Sequence, residues 1–258
     1  MGNCGFSIAP MRKGQQALVA RNLERAEDIS GAAMEAGIDF SWENYADYLD
    51  VVDALPKGIN HAAYVGHSAL RTFVMGERAF EEEASADDLA AMQAELRSAL
   101  DAGAQGFSTS RSSTHQTADD RPVASRIARR EEVSALVGTL SGRRGAVFEL
   151  AHEILQPGTP EGDAYWAWLF DLAVETGVAT TYGVLGRFAK TQIEFIERVQ
   201  AAGGRMFGQT HSRGVSGVMS FRTAMPFDSQ PVWREFREKP LEAQLAGLRD
   251  PATRAALA

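Results

Sequence analysis

The sequence of 258 residues holds one cysteine, Cys4, so no disulfide can form within the chain. A lone thiol suits a reducing compartment, and a cytoplasmic location is the expectation. No run of about 18 apolar residues occurs, so no membrane-spanning helix is expected. The opening MGNCGFSIAP has neither the basic start nor the apolar run of a signal peptide. Gly2 and Ser7 match a myristoylation signal only loosely, and the motif is too permissive to carry that reading. Basic residues are outnumbered 26 to 34, for a formal net charge of −8. The short run Arg126, Arg129, Arg130 is broken and gives way to Glu131 and Glu132. A nucleic-acid partner is therefore not expected, because phosphate binding needs a clustered basic face. Also missing are GxGxxG after the first strand and the phosphate loop GxxxxGK(S/T), which argues against a nucleotide-binding open sheet. The serine-hydrolase elbow GxSxG is absent, as are HxH, HExxH and CxxC, so no metal motif stands by itself.

What is present is an ordinary globular balance, 45% hydrophobic and 23% charged, in a length that suits one domain with a large core. From about residue 60 a unit repeats: a short apolar stretch ending in polar residues, then an amphipathic helix closed by glycine. The apolar stretches are 59–66, 104–109, 146–151, 178–183 and 205–210. Ser85 and Asp88 form a capping-box pair ahead of Leu89, Met92, Leu96 and Leu100, and Gly103 supplies the stop. A second helix starts at Thr159-Pro160 and ends at Gly177; a third covers about 189–202. Strand, helix, strand at this spacing means parallel strands with crossover helices. With the nucleotide-binding loops missing, the expected fold class is α/β, a barrel of the (β/α)8 type, treated as one domain over 1–258. Chemistry is then expected at the C-terminal ends of the strands. The polar segment 110–130 leaves one such end and either covers a site or is a mobile surface loop. The closing residues read as one or two surface helices.

Several residues at those ends can carry chemistry. Cys4 lies between glycines that allow close backbone approach, and a thiolate there can hold metal; the alternative is a small buried residue. His152 ends the 146–151 stretch, suited to metal ligation or acid/base work, with Glu153 beside it. His67, His211 and Tyr182 follow strands in the same way. Ser108 lacks the second glycine of a nucleophile elbow. Arg111, Arg187 and Arg213 follow strand ends and can pair with a substrate carboxylate. His61 reads as structural and His115 as a loop residue.

Four stretches resemble the N-acyl-D-amino-acid deacylases (D-aminoacylases) of the amidohydrolase superfamily: GNCGFSIAP at 2–10, WENYADYLD at 42–50, VGHSALRTFVMGERA at 65–79, and Ala91 to Ser110, which includes ALDAGAQGFSTS. The second half, with FELAH, Pro226-Phe227 and LRDPATRAAL, is most similar to the branch acting on N-acyl-D-aspartate or D-glutamate. The resemblance implies a metal-dependent hydrolase of non-peptide C–N bonds in a (β/α)8 barrel with one or two zinc ions. A metal-bound water attacks the amide, and an aspartate on the last strand moves its proton. It makes Cys4 a metal ligand and puts His152 near a fifth-strand ligand. His67, Ser108, Arg111, Tyr182 and His211 are then candidates for substrate binding or for supporting the ligands.

Departures from the pattern are plain. The family's first-strand HxH or HxD would precede GNCG, the catalytic aspartate would follow the last residue, and the HxR after the fifth-strand histidine is missing. Tyr182 and Gly183 stand where the sixth-strand histidine is expected. The barrel is therefore expected to be partial, truncated at both ends and weak in metal retention. Its partner would be a small-molecule substrate, and its open strand edges would favour self-association. The alternatives are a degenerate barrel that binds a small acylated or acidic ligand without catalysis, and an interaction protein completed by a partner chain.

Overall fold

The computed structural model describes residues 3–257 except 28, 154, 156, 157, 185, 211, 213–219, 223, 224, 226 and 229. Two compact units divide it, Met1–Thr210 and His211–Ala258. The first opens with a tight turn at Asn3–Gly5 and three helices: α1 (Gln16–Leu23), α2 (Gly31–Gly37) and α3 (Tyr45–Ala54). Strands and helices then follow as β1 (Val65–Gly66), α4 (His67–Met75), α5 (Ala86–Ala102), β2 (Gly106–Ser110), α6 (Ala124–Ile127), α7 (Arg130–Gly138), β3 (Val147–Ala151), α8 (Pro160–Thr176), β4 (Ala179–Gly183), α9 (Ala189–Ala201) and β5 (Met206–Gln209). The second unit holds α10 (Pro231–Arg237), α11 (Leu241–Gly247) and α12 (Pro251–Leu257), the last two in the closing residues where one or two helices were expected. Within it Trp233 packs on Phe227 at 4.0 Å and donates to the Leu257 carbonyl at 2.9 Å.

All five strands run parallel in the order β1-β2-β3-β4-β5. Each strand neighbours the next one in the chain, without the reversal that makes the switch point of a doubly wound sheet. That succession is the topology of a barrel. The five strands fall within the five apolar stretches, but the first is short: only Val65 and Gly66 of 59–66 pair.

The helix signals act as their chemistry requires. Ser85 Oγ accepts from the Asp88 amide, and the Asp88 carboxylate accepts from the Ser85 amide, both at 3.1 Å. Pro160 opens α8 behind the Thr159 cap, and Gly177 closes it at φ 62°. The buried faces of these helices press on one side of the sheet. Phe107, Phe148, Leu150 and Tyr182 from the strands join Leu96, Leu136, Leu169 and Val199 from the helices in one core. Burying side chains of this size contributes about 1.5–3 kcal/mol each.

Strand alternation sends the next residues to the opposite face. Register places Ser108, Glu149 and Thr181 side by side there, with Ser110, Ala151 and Gly183 one step further along.

Between the helices and β2 lies a buried ionic group. Arg71 and Glu132 pair at 2.5 Å, and Glu132 also meets His67 Nε2 at 2.8 Å. His67 Nδ1 meets Thr109 Oγ1 at 2.7 Å. Burial pushes the Glu132 carboxyl up, but His67 and Arg71 outweigh it and hold the group at about 2. The folded value lies below the ordinary carboxylate value of about 4.3. Stability from this group is therefore complete above that value and is lost as pH falls towards 2. Denaturant unfolding followed by circular dichroism should show this acid loss in the wild type and its attenuation in Glu132→Gln. At pH 7 the variant should lose about 3–5 kcal/mol, the usual cost of removing one partner from a buried pair.

Candidate metal centre

The N-terminal segment lies directly against the sheet. A β-carbon on Gly5 would sit 2.6 Å from the Ser110 amide nitrogen, and one on Gly66 would sit 2.6 Å from that of Ser7. Only glycine permits such approach. Ser7 Oγ accepts from the Gly66 amide at 3.0 Å and donates to the Ala9 carbonyl at 2.6 Å, while Trp42 Nε1 donates to the Ile8 carbonyl at 2.9 Å. These bonds hold the segment over the strand ends.

Within it, Cys4 adopts φ 60°, ψ 18°, the left-handed region that side-chain-bearing residues avoid. Its amide donates to Glu149 Oε2 at 2.7 Å. Glu149 is buried near the middle of β3, on the face turned away from the helices. Burial raises its carboxyl to about 7, against the opposing pull of the Cys4 amide. The Cys4 thiol is raised to about 12, by burial first, then by Glu149 and Glu27. Tyr64 is raised too, by burial and then by the charge of Glu149. The charge of Glu149 thus makes both Cys4 and Tyr64 harder to ionise. No basic side chain among the described residues forms an ion pair with Glu149.

A half-buried thiol whose own amide is bonded to a buried carboxylate offers a donor pair that a divalent cation would relieve, displacing both protons. The pair fits one side of a zinc shell, since thiolate and carboxylate are both zinc ligands. The described residues include no group of three or more His, Cys, Asp and Glu side chains able to hold a metal.

The other candidate residues go elsewhere. His152 was paired in expectation with Cys4, but it stands three residues after Glu149 and so turns to the helix side. There Nδ1 bonds to the Glu153 carbonyl at 2.8 Å and Nε2 to Gln192 Nε2 of α9 at 2.9 Å. Burial lowers its pKa. A neutral ring donating from Nδ1 and accepting at Nε2 satisfies both bonds. Tyr182 points the same way and donates to the Gln192 carbonyl at 3.1 Å. His67 is fully buried, with both ring nitrogens engaged on the helix side. Arg111 is tied to Glu153 Oε1 at 2.9 Å and to the Ala128 carbonyl at 2.5 Å, so its charge is already matched. Ser108 alone of these shares the Glu149 face, directly beside it in register. His211 and Arg213 lie outside the described residues, as does the Arg187 side chain.

One residue near Cys4 went unnoticed in the sequence and another was discounted. Glu149 is a carboxylate inside the apolar run AVFELA, and that misfit was its one signal. His115, read as a loop residue, meets Ser110 Oγ at 2.6 Å and packs 5.2 Å from the Phe6 ring, beside the segment that carries Cys4. Burial and then Arg126 lower its pKa.

Because thiolate is the reactive form, metal-free Cys4 should react with a disulfide reagent at pH 8 at least about a hundredfold slower than in the unfolded chain. Glu149→Gln should speed the reaction only in part, burial being the larger cause. A native rate equal to the unfolded one would show that the thiol is not held as described.

No family model matches the chain. It is similar to D-aminoacylase from Alcaligenes xylosoxydans xylosoxydans, 36% identical over 108 residues, covering 42% of this chain and 20% of that one. N-acyl-D-aspartate deacylase from the same organism is 31% identical over 147 residues, covering 57% of this chain and 25% of that one. The chain thus spans a fifth to a quarter of the length of these curated relatives. A solved D-aminoacylase structure, described for its binuclear metal centre, superposes with a TM-score of 0.59 at 25% identity over 83% of this chain and 41% of that one. By sequence and by fold, the chain is related to the D-aminoacylase amidohydrolases over the stretch it shares with them.

Proposed function

We propose that the chain is the section of an amidohydrolase barrel that presents one side of a metal centre, in an enzyme that deacylates N-acyl-D-amino acids. The observation that carries this reading is the meeting of a strained Cys4 with the buried Glu149 on the sheet face away from the helices, in a chain related to deacylases. Cys4 and Glu149 would hold zinc there, with Ser108 beside them. Zinc, when bound, lowers the pKa of a water and polarises an amide carbonyl.

The chain's own contribution is positional. The Cys4 amide fixes one oxygen of Glu149, and burial withdraws that carboxyl from water. Without the cation, a carboxyl raised to about 7 holds its proton near neutral pH and gives it up as the cation binds. The substrate would be a small molecule. Relatives named for D-aminoacylase and N-acyl-D-aspartate deacylase support that class without fixing its side chain. The protein is proposed to be cytoplasmic on its single cysteine; no described helix is long and apolar enough to cross a membrane. β1 and β5 are each paired on one side among the described residues, and self-association through those edges belongs to the same proposal.

The test is zinc content by mass spectrometry with release of free amino acid from N-acetyl-D-aspartate, N-acetyl-D-glutamate and N-acetyl-D-leucine, with L-enantiomers as controls. Zinc should be retained and the D-substrates cleaved. Cys4→Ala and Glu149→Gln should each weaken zinc retention by more than about 100-fold, since losing only a group that orients a ligand already costs about 10–100-fold. Protein that holds zinc but frees no D-amino acid would sink the deacylase reading and favour a barrel that only binds a ligand. Unchanged zinc stoichiometry in Cys4→Ala would remove Cys4 from the centre.

A further inference from the structure

Arg111, expected from the sequence to meet a substrate carboxylate, is already held by Glu153 and by the Ala128 carbonyl. A second arginine lies within electrostatic reach of it. Arg126, on α6, is half-buried and donates to the His115 carbonyl at 3.0 Å. No acidic side chain among the described residues forms an ion pair with it. The charged groups around it are Arg111 and Glu153, which pair with each other. Two cations and one anion meet here, so one positive charge is left over. We propose that Arg126 binds the α-carboxylate of the N-acyl-D-amino acid, an assignment that rests on the deacylase reading for the identity of the anion.

Position supports the assignment first. The segment that carries Arg126 is fastened to the end of β2, where Ser125 Oγ donates to the Ser110 carbonyl at 3.2 Å and Ser110 Oγ lies 2.6 Å from His115 Nδ1. Ser110 is on the Glu149 face of the sheet, and the backbone of Gly5 presses against its amide. The His115 ring packs on Phe6, in the segment that carries Cys4. Arg126 thus belongs to the same strand-end mouth as Cys4 and Glu149, where a barrel carries its chemistry. Donor chemistry comes second. Ser110 Oγ is buried and accepts from the Ser112 amide at 3.3 Å, so its own proton goes to His115 Nδ1. Burial and then Arg126 lower the His115 pKa, which keeps the ring neutral with its hydrogen on Nε2. That N–H has no partner among the described residues. A guanidinium and an imidazole N–H on one loop offer donors only, the complement of a carboxylate. A single surplus charge suits a monoanion and leaves a doubly charged phosphate unbalanced.

N-acetyl-D-leucine and N-acetyl-D-leucinamide are the probes, since they differ only at that carboxylate. If the chain cleaves them, the readout is steady-state kinetics; if it does not, the readout is titration into ¹⁵N-labelled protein. Either way the wild type should favour the acid over the amide at least about tenfold, and Arg126→Gln should treat the two alike, because a hydrogen bond to a charged group is worth about 10–100-fold. Arg126→Lys keeps the charge and loses the planar fork, so it should fall between, and it keeps the test open if Arg126→Gln misfolds. In an active chain Arg126→Gln should raise KM for the acid by that factor and leave kcat within about twofold, a split that general damage to the fold would not produce. Equal treatment of acid and amide by the wild type would overturn the proposal. So would no interaction with either probe, or a preference for the acid that survives in folded Arg126→Gln. A loss seen with N-acetyl-D-aspartate and not with N-acetyl-D-leucine would overturn it too, by moving Arg126 to the substrate side chain. Preference for the acid without hydrolysis would count against the deacylase reading and leave Arg126 as a carboxylate site.

Discussion

The site depends on one steric constraint: the backbone of the GNCG segment must touch the sheet. Gly5 and Gly66 have no room for a β-carbon, and each faces backbone atoms that cannot move aside cheaply. Their contact brings the Cys4 amide to the Glu149 carboxylate. A left-handed cysteine costs about 1–3 kcal/mol and persists only where its surroundings hold it. Here the glycine contacts, the Ser7 bonds and the charge-assisted bond to Glu149 do so.

Two buried glutamates show how much the neighbours decide. Glu132 and Glu149 are both withdrawn from water, yet one carboxyl stays near 2 and the other rises to about 7. The difference is the company of Arg71 and His67. The helix layer has spent its cations on an internal ionic cluster, which ties α4 to α7. The other face keeps an acid with no counter-charge among the described residues.

Much of the fold was legible in the residues. Five apolar stretches, glycine stops and the Ser85–Asp88 box located five strands and three long helices, because these signals are local. The resemblance carried by GNCG and GFSTS agreed with the relatives found. Assigning residues to a site was harder, because the sheet face depends on parity. Glu149 lies within β3 and His152 just past its end, three positions on, and the two turn to opposite faces. His67 opens α4 directly after the two-residue β1, so strand parity does not set its direction.

The strand order has a consequence for how the molecule assembles. Every strand pairs with the one made just before it, so most of the sheet has low contact order and can be laid down unit by unit as the chain emerges from the ribosome. The bond from Cys4 to Glu149 is the exception, spanning 145 residues. It cannot close until β3 has joined the sheet. The Cys4 thiol, which precedes β3 in the chain, must therefore wait uncovered, and closure of this long loop is the natural late step in folding.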